Sequence, residues 1–130
     1  MTTAYWCVLA AGILPYVWVF VAKAAPGFDN RTPRLYLEGV TGWRRLAVWA
    51  QYNAFEVLPL FIAAVIIAHQ LGAPQASLNA LALAFLGFRV AHGVFYLADR
   101  PTLRSLVWTG GFACIVALFV IAAGGAANGV

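Results

Sequence analysis

Charged side chains are scarce in this sequence, and acidic ones are the scarcest. Only 9% of the 130 residues are Asp, Glu, Lys or Arg, and 4 of these are acidic. An ordinary soluble domain is about 25% charged and about 45–50% apolar, whereas this chain is 64% hydrophobic. A soluble fold of this length could not bury so much apolar surface. The composition therefore excludes a water-soluble domain and predicts an integral membrane protein.

Cysteine and the common catalytic or metal-binding motifs are also scarce. Cys7 and Cys114 both lie in apolar runs, which favours two small buried hydrophobic residues over a disulfide. No Cys/His spacing suits a metal, no glycine-rich loop suits a phosphate, and no nucleophile accompanies a His–acid pair. We therefore expect no metal cofactor. The net charge of +4 is interpreted as membrane topology and not as a nucleic-acid-binding surface.

Apolar runs dominate what is present, and four of them are long enough to cross a bilayer. A spanning helix needs about 20 apolar residues. The first run lacks the preceding positive charge of a signal peptide, so we expect it to be retained. The predicted fold class is all-α, a four-transmembrane-helix bundle in a single membrane domain of residues 1–130. The predicted helices cover residues 4–22, 46–68, 76–98 and 103–123.

The basic residues predict the orientation of this bundle. They lie between the first and second predicted helices and at the junction of the third and fourth. The positive-inside rule places these two loops in the cytoplasm and both termini outside. We expect the membrane to be the inner membrane of a bacterium. The residues concerned are Lys23, Arg31, Arg34, Arg44, Arg45, Arg100 and Arg104.

Polar side chains interrupt the second predicted helix and share one face of it. At about 100° per residue, Arg45, Trp49, Tyr52, Asn53 and Glu56 fall within roughly a third of the circumference. The amide of Gln51, in contrast, points elsewhere. Glu56 lies roughly 15 Å beyond the helix entry at about 1.5 Å per residue. This stripe carries an acid towards the middle of the membrane.

The third predicted helix carries a similar stripe, formed by Arg89, His92 and Tyr96. A charged side chain at this depth costs at least about 2.5–3.5 kcal/mol, so such residues face the bundle interior or a water-filled cavity and find partners. We expect Glu56 and Arg89 to lie close together, with Asn53 hydrogen-bonded between them or to a ligand. A buried ion pair that only fixes helix packing is the alternative. The number of further polar groups on both faces favours a site for a charged, polar ligand.

With these residues in view, the sequence resembles the MAPEG family (membrane-associated proteins in eicosanoid and glutathione metabolism). This family includes the microsomal glutathione transferases and leukotriene C synthase. The segment "NAFEVLPLF" matches the family's Asn-x-x-Glu and the proline-containing apolar run that follows, and "RRLAVWAQ" is similar to the Arg-rich entry to helix two. The segment "FRVAHGVFYLADRPTLR" is similar to the helix-three signature and to the Arg that opens helix four.

The resemblance implies a homotrimer that binds glutathione between neighbouring subunits, near the cytoplasmic membrane surface. It implies that Glu56 pairs with the glutathione amino group and that Arg104 stabilises the thiolate, which would attack hydrophobic molecules arriving from the lipid. A neighbouring subunit would explain why Gln51 points off the stripe. Glutathione is then a co-substrate, and no nucleic acid is expected as a partner. The residues expected to bind it are Arg45, Gln51, Asn53, Glu56, Arg89, His92 and Tyr96.

Three positions depart from the family pattern. Trp49 stands where many relatives have an Arg, Val57 where some have a Tyr, and His92 where a Tyr is frequent. The missing charge at Trp49 removes a partner for a glutathione carboxylate. Either Arg44 or Arg45 replaces it from one turn away, or the ligand is a different molecule. The loop before Arg104 is one residue longer than in the mammalian pattern, which leaves Arg100 as the alternative thiolate partner.

Three functions are compatible with these features. The first is a glutathione-dependent transferase or peroxidase that acts on hydrophobic electrophiles or lipid peroxides. The second is a MAPEG-fold protein without catalysis that binds lipids or other proteins. The third is a small proton-coupled transporter, which the position of the acid disfavours, because small multidrug transporters have their membrane Glu in the first helix.

Overall fold

The computed structural model of the chain describes residues 1–128, so the last two residues of the predicted domain lie outside the described residues. Every regular element in this range is helical. Four of the helices are long and apolar enough to span a membrane, which confirms the predicted bundle. The helices are α1 (Thr3–Lys23), α2 (Pro33–Gly39), α3 (Trp43–Gln70), α4 (Gln75–Leu97) and α5 (Pro101–Asn128).

Helix α3 begins at Trp43, three residues before the predicted start at Leu46. Its 28 residues correspond to about 42 Å, which exceeds the roughly 30 Å of a hydrocarbon core. Hydropathy follows the lipid boundary, whereas backbone hydrogen bonds continue into the headgroup region. Gly42, with φ at +61°, occupies the left-handed region just before the helix, where a residue without Cβ is favoured.

Helix α2 lies in the segment that we expected to be a loop, so this part of the prediction is wrong. It begins at Pro33, and proline suits the first helical position because the amide hydrogen it lacks would have no helical partner there. Tyr36 and Leu37 of α2 pack against Ala22 and Val48. This contact holds the segment between α1 and α3, which carries Arg31 and Arg34, against the ends of both helices. We call this segment and the short turn between α4 and α5, which carries Arg100, the charged connections.

Small residues let the spanning helices approach closely. Helix α1 packs mainly on α3, and α4 packs mainly on α5. At Gly93 of α4, an added Cβ would overlap the indole of Trp18 from α1, so only glycine leaves room for that ring. Close approach through small residues is typical of helix packing in membranes. All but one of the buried residues of α1 recur at steps of three and four, the exception being Val19; the others are Ala4, Cys7, Ala11, Pro15, Trp18 and Ala22.

The main apolar core lies in the half of the bundle away from the charged connections. Its centre is a stack of Phe61 on Phe85 with ring centroids 3.9 Å apart, and both rings are almost fully buried. Cys7 and Cys114 are free and buried, as the sequence predicted. Large apolar side chains such as Phe20 and Leu106 are exposed on the outside of the bundle, where they contact lipid.

Candidate functional site

Asn53 joins the two deepest charged residues, one on α3 and one on α4. Its Oδ1 accepts a hydrogen bond of 2.7 Å from Nη2 of Arg89, and its Nδ2 donates one of 3.3 Å to Oε2 of Glu56. The juxtaposition that the helical spacing predicted is therefore present, with the amide between the guanidinium and the carboxylate. A neutral amide can donate to the acid and accept from the base, so Asn53 gives each charged group one hydrogen bond without direct contact between them.

Burial is unequal along this chain of hydrogen bonds. Arg89 is 4% exposed, whereas Glu56 is exposed on the surface of the bundle although it lies near the middle of α3. Among the described residues, Nε of Arg89 is buried and has no hydrogen-bond partner. A buried guanidinium with a free donor and an exposed carboxylate at membrane depth both require a further partner. The cluster is electrostatically incomplete in the single chain.

Aromatic and basic side chains from α4 and α5 come together about one to two helical turns from Arg89, on the side of the charged connections. The ring of His92 meets that of Tyr96 edge-on, with centroids 5.3 Å apart. The guanidinium carbon of Arg104 lies 4.4 Å from the centroid of the same Tyr96 ring, within the range of a cation–π interaction. Tyr96 thus positions Arg104 from the first turns of α5 beside His92.

These groups surround a cavity of about 270 Å³, which we call the polar cavity. It lies where α3, α4 and α5 meet. Four of its residues were predicted from the sequence, and three on α5 were not. Trp108 lies four residues after Arg104, so helical spacing places both on the same face of α5. The residues that line the polar cavity are Asn53, His92, Tyr96, Arg104, Ser105, Trp108 and Thr109.

Arg45 and Trp49 belong to a different surface, although the helical wheel places them with Asn53. The Arg45 guanidinium donates to the carbonyl oxygens of Val40 and Glu38, which fixes it to the connection between α2 and α3. Both residues line a groove of about 630 Å³ beside the end of α4. The structure therefore does not bring Arg45 to the polar cavity.

Gln51 faces a third surface, on the other side of α3, as its position off the stripe predicted. It lines a cavity of about 510 Å³ together with Tyr52, Lys23 and Arg34. About 200° of helix rotation separates it from Asn53 at 100° per residue. Besides the groove beside Arg45 and Trp49, one chain thus carries two further polar surfaces that face different directions. One contains Asn53 and Arg104, and the other contains Gln51.

The structure distinguishes the two arginines between which the sequence left the choice open. Arg100 lies in the turn before α5 and is exposed, whereas Arg104 is partly buried and lines the polar cavity. The backbone amide of Arg104 donates to the carbonyl of Arg100, so the two residues are one turn apart along α5. This geometry favours Arg104 as the cation that faces a ligand.

Taken together, the polar cavity presents the guanidinium group of Arg104, an imidazole, a phenol and an amide, and this amide is hydrogen-bonded to the guanidinium of Arg89 and the carboxylate of Glu56 behind it. Such a set suits a ligand with more negative than positive charge, because Arg89 and Arg104 outnumber Glu56. The described residues include no cluster of His, Cys, Asp and Glu that could hold a metal ion. The site is therefore suited to binding and polarising an anionic or zwitterionic molecule.

A family comparison covers nearly the whole chain. The family model described as MAPEG family matches residues 3–124, a range that begins with α1, ends within α5 and includes every residue of the polar cavity. No curated protein matches the chain.

Proposed function

The chain belongs to the MAPEG family, and from this premise we propose that it is a glutathione-dependent membrane enzyme, a transferase or a peroxidase. It would present the glutathione thiolate to hydrophobic electrophiles or lipid peroxides. The observation that carries the proposal is the Asn53 amide, which links Glu56 to Arg89 at the edge of the cavity that Arg104 lines. Family membership itself supports a membrane protein related to eicosanoid and glutathione metabolism.

The charges of the site match those of glutathione. The tripeptide has two carboxylates, one ammonium group and one thiol, so it needs more cationic than anionic partners. The guanidinium of Arg104 lines the polar cavity and can donate to a carboxylate, and the exposed carboxylate of Glu56 can accept from the ammonium group. Both groups would gain a charged partner from the same ligand.

Arg104 is proposed to activate the thiol. An unperturbed thiol has a pKa of about 8.5, and only the thiolate is strongly nucleophilic. A guanidinium close to the sulfur stabilises the thiolate and raises its fraction at neutral pH. Because Tyr96 fixes the guanidinium from one side, the positive charge is held in place before the ligand arrives, which suits electrostatic catalysis.

A homotrimer is part of the proposal. The polar cavity of about 270 Å³ is slightly below the roughly 300–1,000 Å³ of small-molecule sites, and its carboxylate is exposed at membrane depth. A neighbouring copy that places its Gln51 surface against the Asn53 surface would enlarge the site and shield Glu56 from lipid. The site would then lie between subunits, with Gln51 supplied by one chain and Arg104 by the other.

The test is a titration of the purified, detergent-solubilised protein with glutathione, followed by thiolate absorbance in the ultraviolet and by thermal stability. We expect a thiolate signal at neutral pH that Arg104→Ala abolishes and that the matched control Arg100→Ala leaves unchanged. Glu56→Gln is expected to weaken binding at least about tenfold, because it removes a charge-assisted hydrogen bond worth about 1.5–3 kcal/mol. Absence of both thiolate formation and thermal stabilisation in the wild-type protein would refute the glutathione site. Stabilisation without a thiolate would indicate a binding protein that does not activate the thiol.

Subunit mixing tests where the site lies. Gln51→Ala and Arg104→Ala are each expected to reduce turnover when expressed alone. Co-expression of the two variants regains activity only if one site takes Gln51 and Arg104 from different chains. No recovery in the mixed oligomers would place both residues in the same chain and contradict the proposed arrangement.

A further inference from the structure

We infer that Trp108 makes the site selective for flat aromatic electrophiles as the molecules that the thiolate attacks. This inference rests on the proposed function, since it assumes that the sulfur is held near Arg104. Trp108 lines the polar cavity together with Arg104. Its indole is large and apolar in a cavity whose other walls are mostly polar, and no role in binding the charged groups of a peptide requires it.

The position of Trp108 along α5 suits a group on the route from lipid to the sulfur. Arg104, Trp108 and Phe112 recur every four residues, so they lie along one side of the helix. Each step is about 6 Å along the axis, and each leads further from the charged connections and deeper into the bilayer. The side of α5 therefore changes from a cation to an indole and then to a phenyl ring. A hydrophobic molecule that enters from the bilayer meets Phe112 first and Arg104 last.

The two rings are stacked, which fixes the plane of the indole. Their centroids are 5.3 Å apart and their planes differ by 7°. Phe112 is 40% exposed, so the outer end of the stack is open to lipid, whereas Trp108 is partly buried at the cavity. A flat aromatic ligand can stack on the indole of Trp108 at the cavity. Because Phe112 already fixes the indole, this stacking costs less side-chain entropy than it would on a mobile tryptophan.

Electronic complementarity favours an electron-poor ring in this place. The face of an indole carries partial negative charge, and an aromatic ring with electron-withdrawing substituents carries the opposite sign. Chlorodinitrobenzene is such a molecule. In its reaction the thiol first loses its proton to solvent, the thiolate then forms a C–S bond, and the C–Cl bond breaks with chloride leaving with the electron pair. A flexible alkenal would gain contact area at Trp108 but no stacking.

The experiment compares two electrophiles on the intact protein in detergent or liposomes with glutathione present. Chlorodinitrobenzene is the flat substrate, and hexenal, to which the thiolate adds while the neighbouring carbon takes a proton from solvent, is the flexible one. We expect Trp108→Leu to lower kcat/KM for chlorodinitrobenzene about five- to tenfold relative to hexenal, mainly through KM, as stacking of about 1–1.4 kcal/mol implies. Trp108→Phe is expected to retain most of the preference. Trp6→Leu, which removes an exposed tryptophan of α1, is the matched control and is expected to change neither rate.

The outcomes separate this inference from the function on which it rests. An equal loss for both electrophiles in Trp108→Leu, with lower thermal stability, would show that the indole only anchors α5 and would overturn the inference while leaving the transferase intact. A Trp108→Leu variant that folds too poorly to assay is replaced by Phe112→Leu, which frees the plane of the indole and must lower the same ratio. Thiolate formation without turnover of either electrophile would overturn the inference alone. Absence of a thiolate would overturn the proposed function and this inference with it.

Discussion

Asn53 is predicted to stabilise the fold as well as to serve the site, whereas Glu56 is predicted to serve the site only. The bond from Arg89 to Asn53 is 2.7 Å long, and its donor is a charged group that is 4% exposed. Hydrogen bonds to charged groups contribute about 1.5–3 kcal/mol in soluble proteins, and couplings measured within membranes average about 0.6 and reach about 1.7 kcal/mol. A buried guanidinium that loses its acceptor belongs at the upper end of the membrane range.

We therefore expect Asn53→Ala to lower the free energy of unfolding by about 1.5 kcal/mol. Glu56→Gln is expected to cost about 0.5 kcal/mol or less, because its bond to Asn53 is 3.3 Å long and exposed. The glutamine oxygen can still accept from the Asn53 amide. The two substitutions are expected to differ in stability because Asn53→Ala leaves the buried guanidinium of Arg89 without its acceptor, whereas Glu56→Gln changes only an exposed hydrogen bond.

The assay is reversible unfolding in mixed micelles as the fraction of denaturing detergent rises, followed by circular dichroism. A double-mutant cycle that combines Asn53→Ala with Arg89→Met isolates the pair and should give a coupling above about 1 kcal/mol. Equal losses for Asn53→Ala and Glu56→Gln, or a coupling near zero, would refute the argument that the buried guanidinium depends on this amide.

Two further predictions concern packing and the separation of stability from binding. Gly93→Ala is expected to cost about 2–3 kcal/mol of unfolding free energy in the same assay, because its Cβ would overlap the Trp18 ring. Gly87→Ala, in the same helix and with nothing near the new Cβ, should be neutral or up to about 1 kcal/mol more stable; similar losses at both positions would contradict the packing argument. Asn79→Ala should also destabilise the protein, since its Oδ1 accepts from the backbone amide of Ala4 and from Gln75. Glutathione affinity, measured by titration calorimetry, should stay unchanged in Asn79→Ala, and a loss would show that the affinity follows general stability.

Periodicity was most informative where a polar group interrupted an apolar helix. Asn53, Glu56 and Arg89 could be paired from the sequence, because an ionisable group in lipid has few satisfactory surroundings other than a partner of opposite charge. Gln51 could be separated from them by the helical angle alone. Helix α2 was missed, because seven residues are too few for a clear hydropathy signal, and only the proline at its start marked it.

The helical wheel was less informative about which neighbour each polar residue faces. It grouped Arg45 and Trp49 with Asn53, but the connection between α2 and α3 takes up the Arg45 guanidinium through backbone carbonyls. Trp108 was overlooked, because a tryptophan near the end of a spanning helix is usually interpreted as a membrane-interface residue. Its place at the polar cavity depends on how α5 is rotated against α4.

The sequence by itself determined that the chain lies in a membrane, that four helices cross it, and that a charged cluster involves the second and third of them. These conclusions depend on local composition and on the fixed angle between successive residues of a helix, and neither requires knowledge of the neighbours. Only the tertiary structure decided that Arg104 and not Arg100 lines the cavity, that Trp108 joins it, and that Arg45 lies on another surface. Those outcomes depend on helix rotation and close approach, which are set by side chains far apart in the sequence, such as the contact of Trp18 with Gly93.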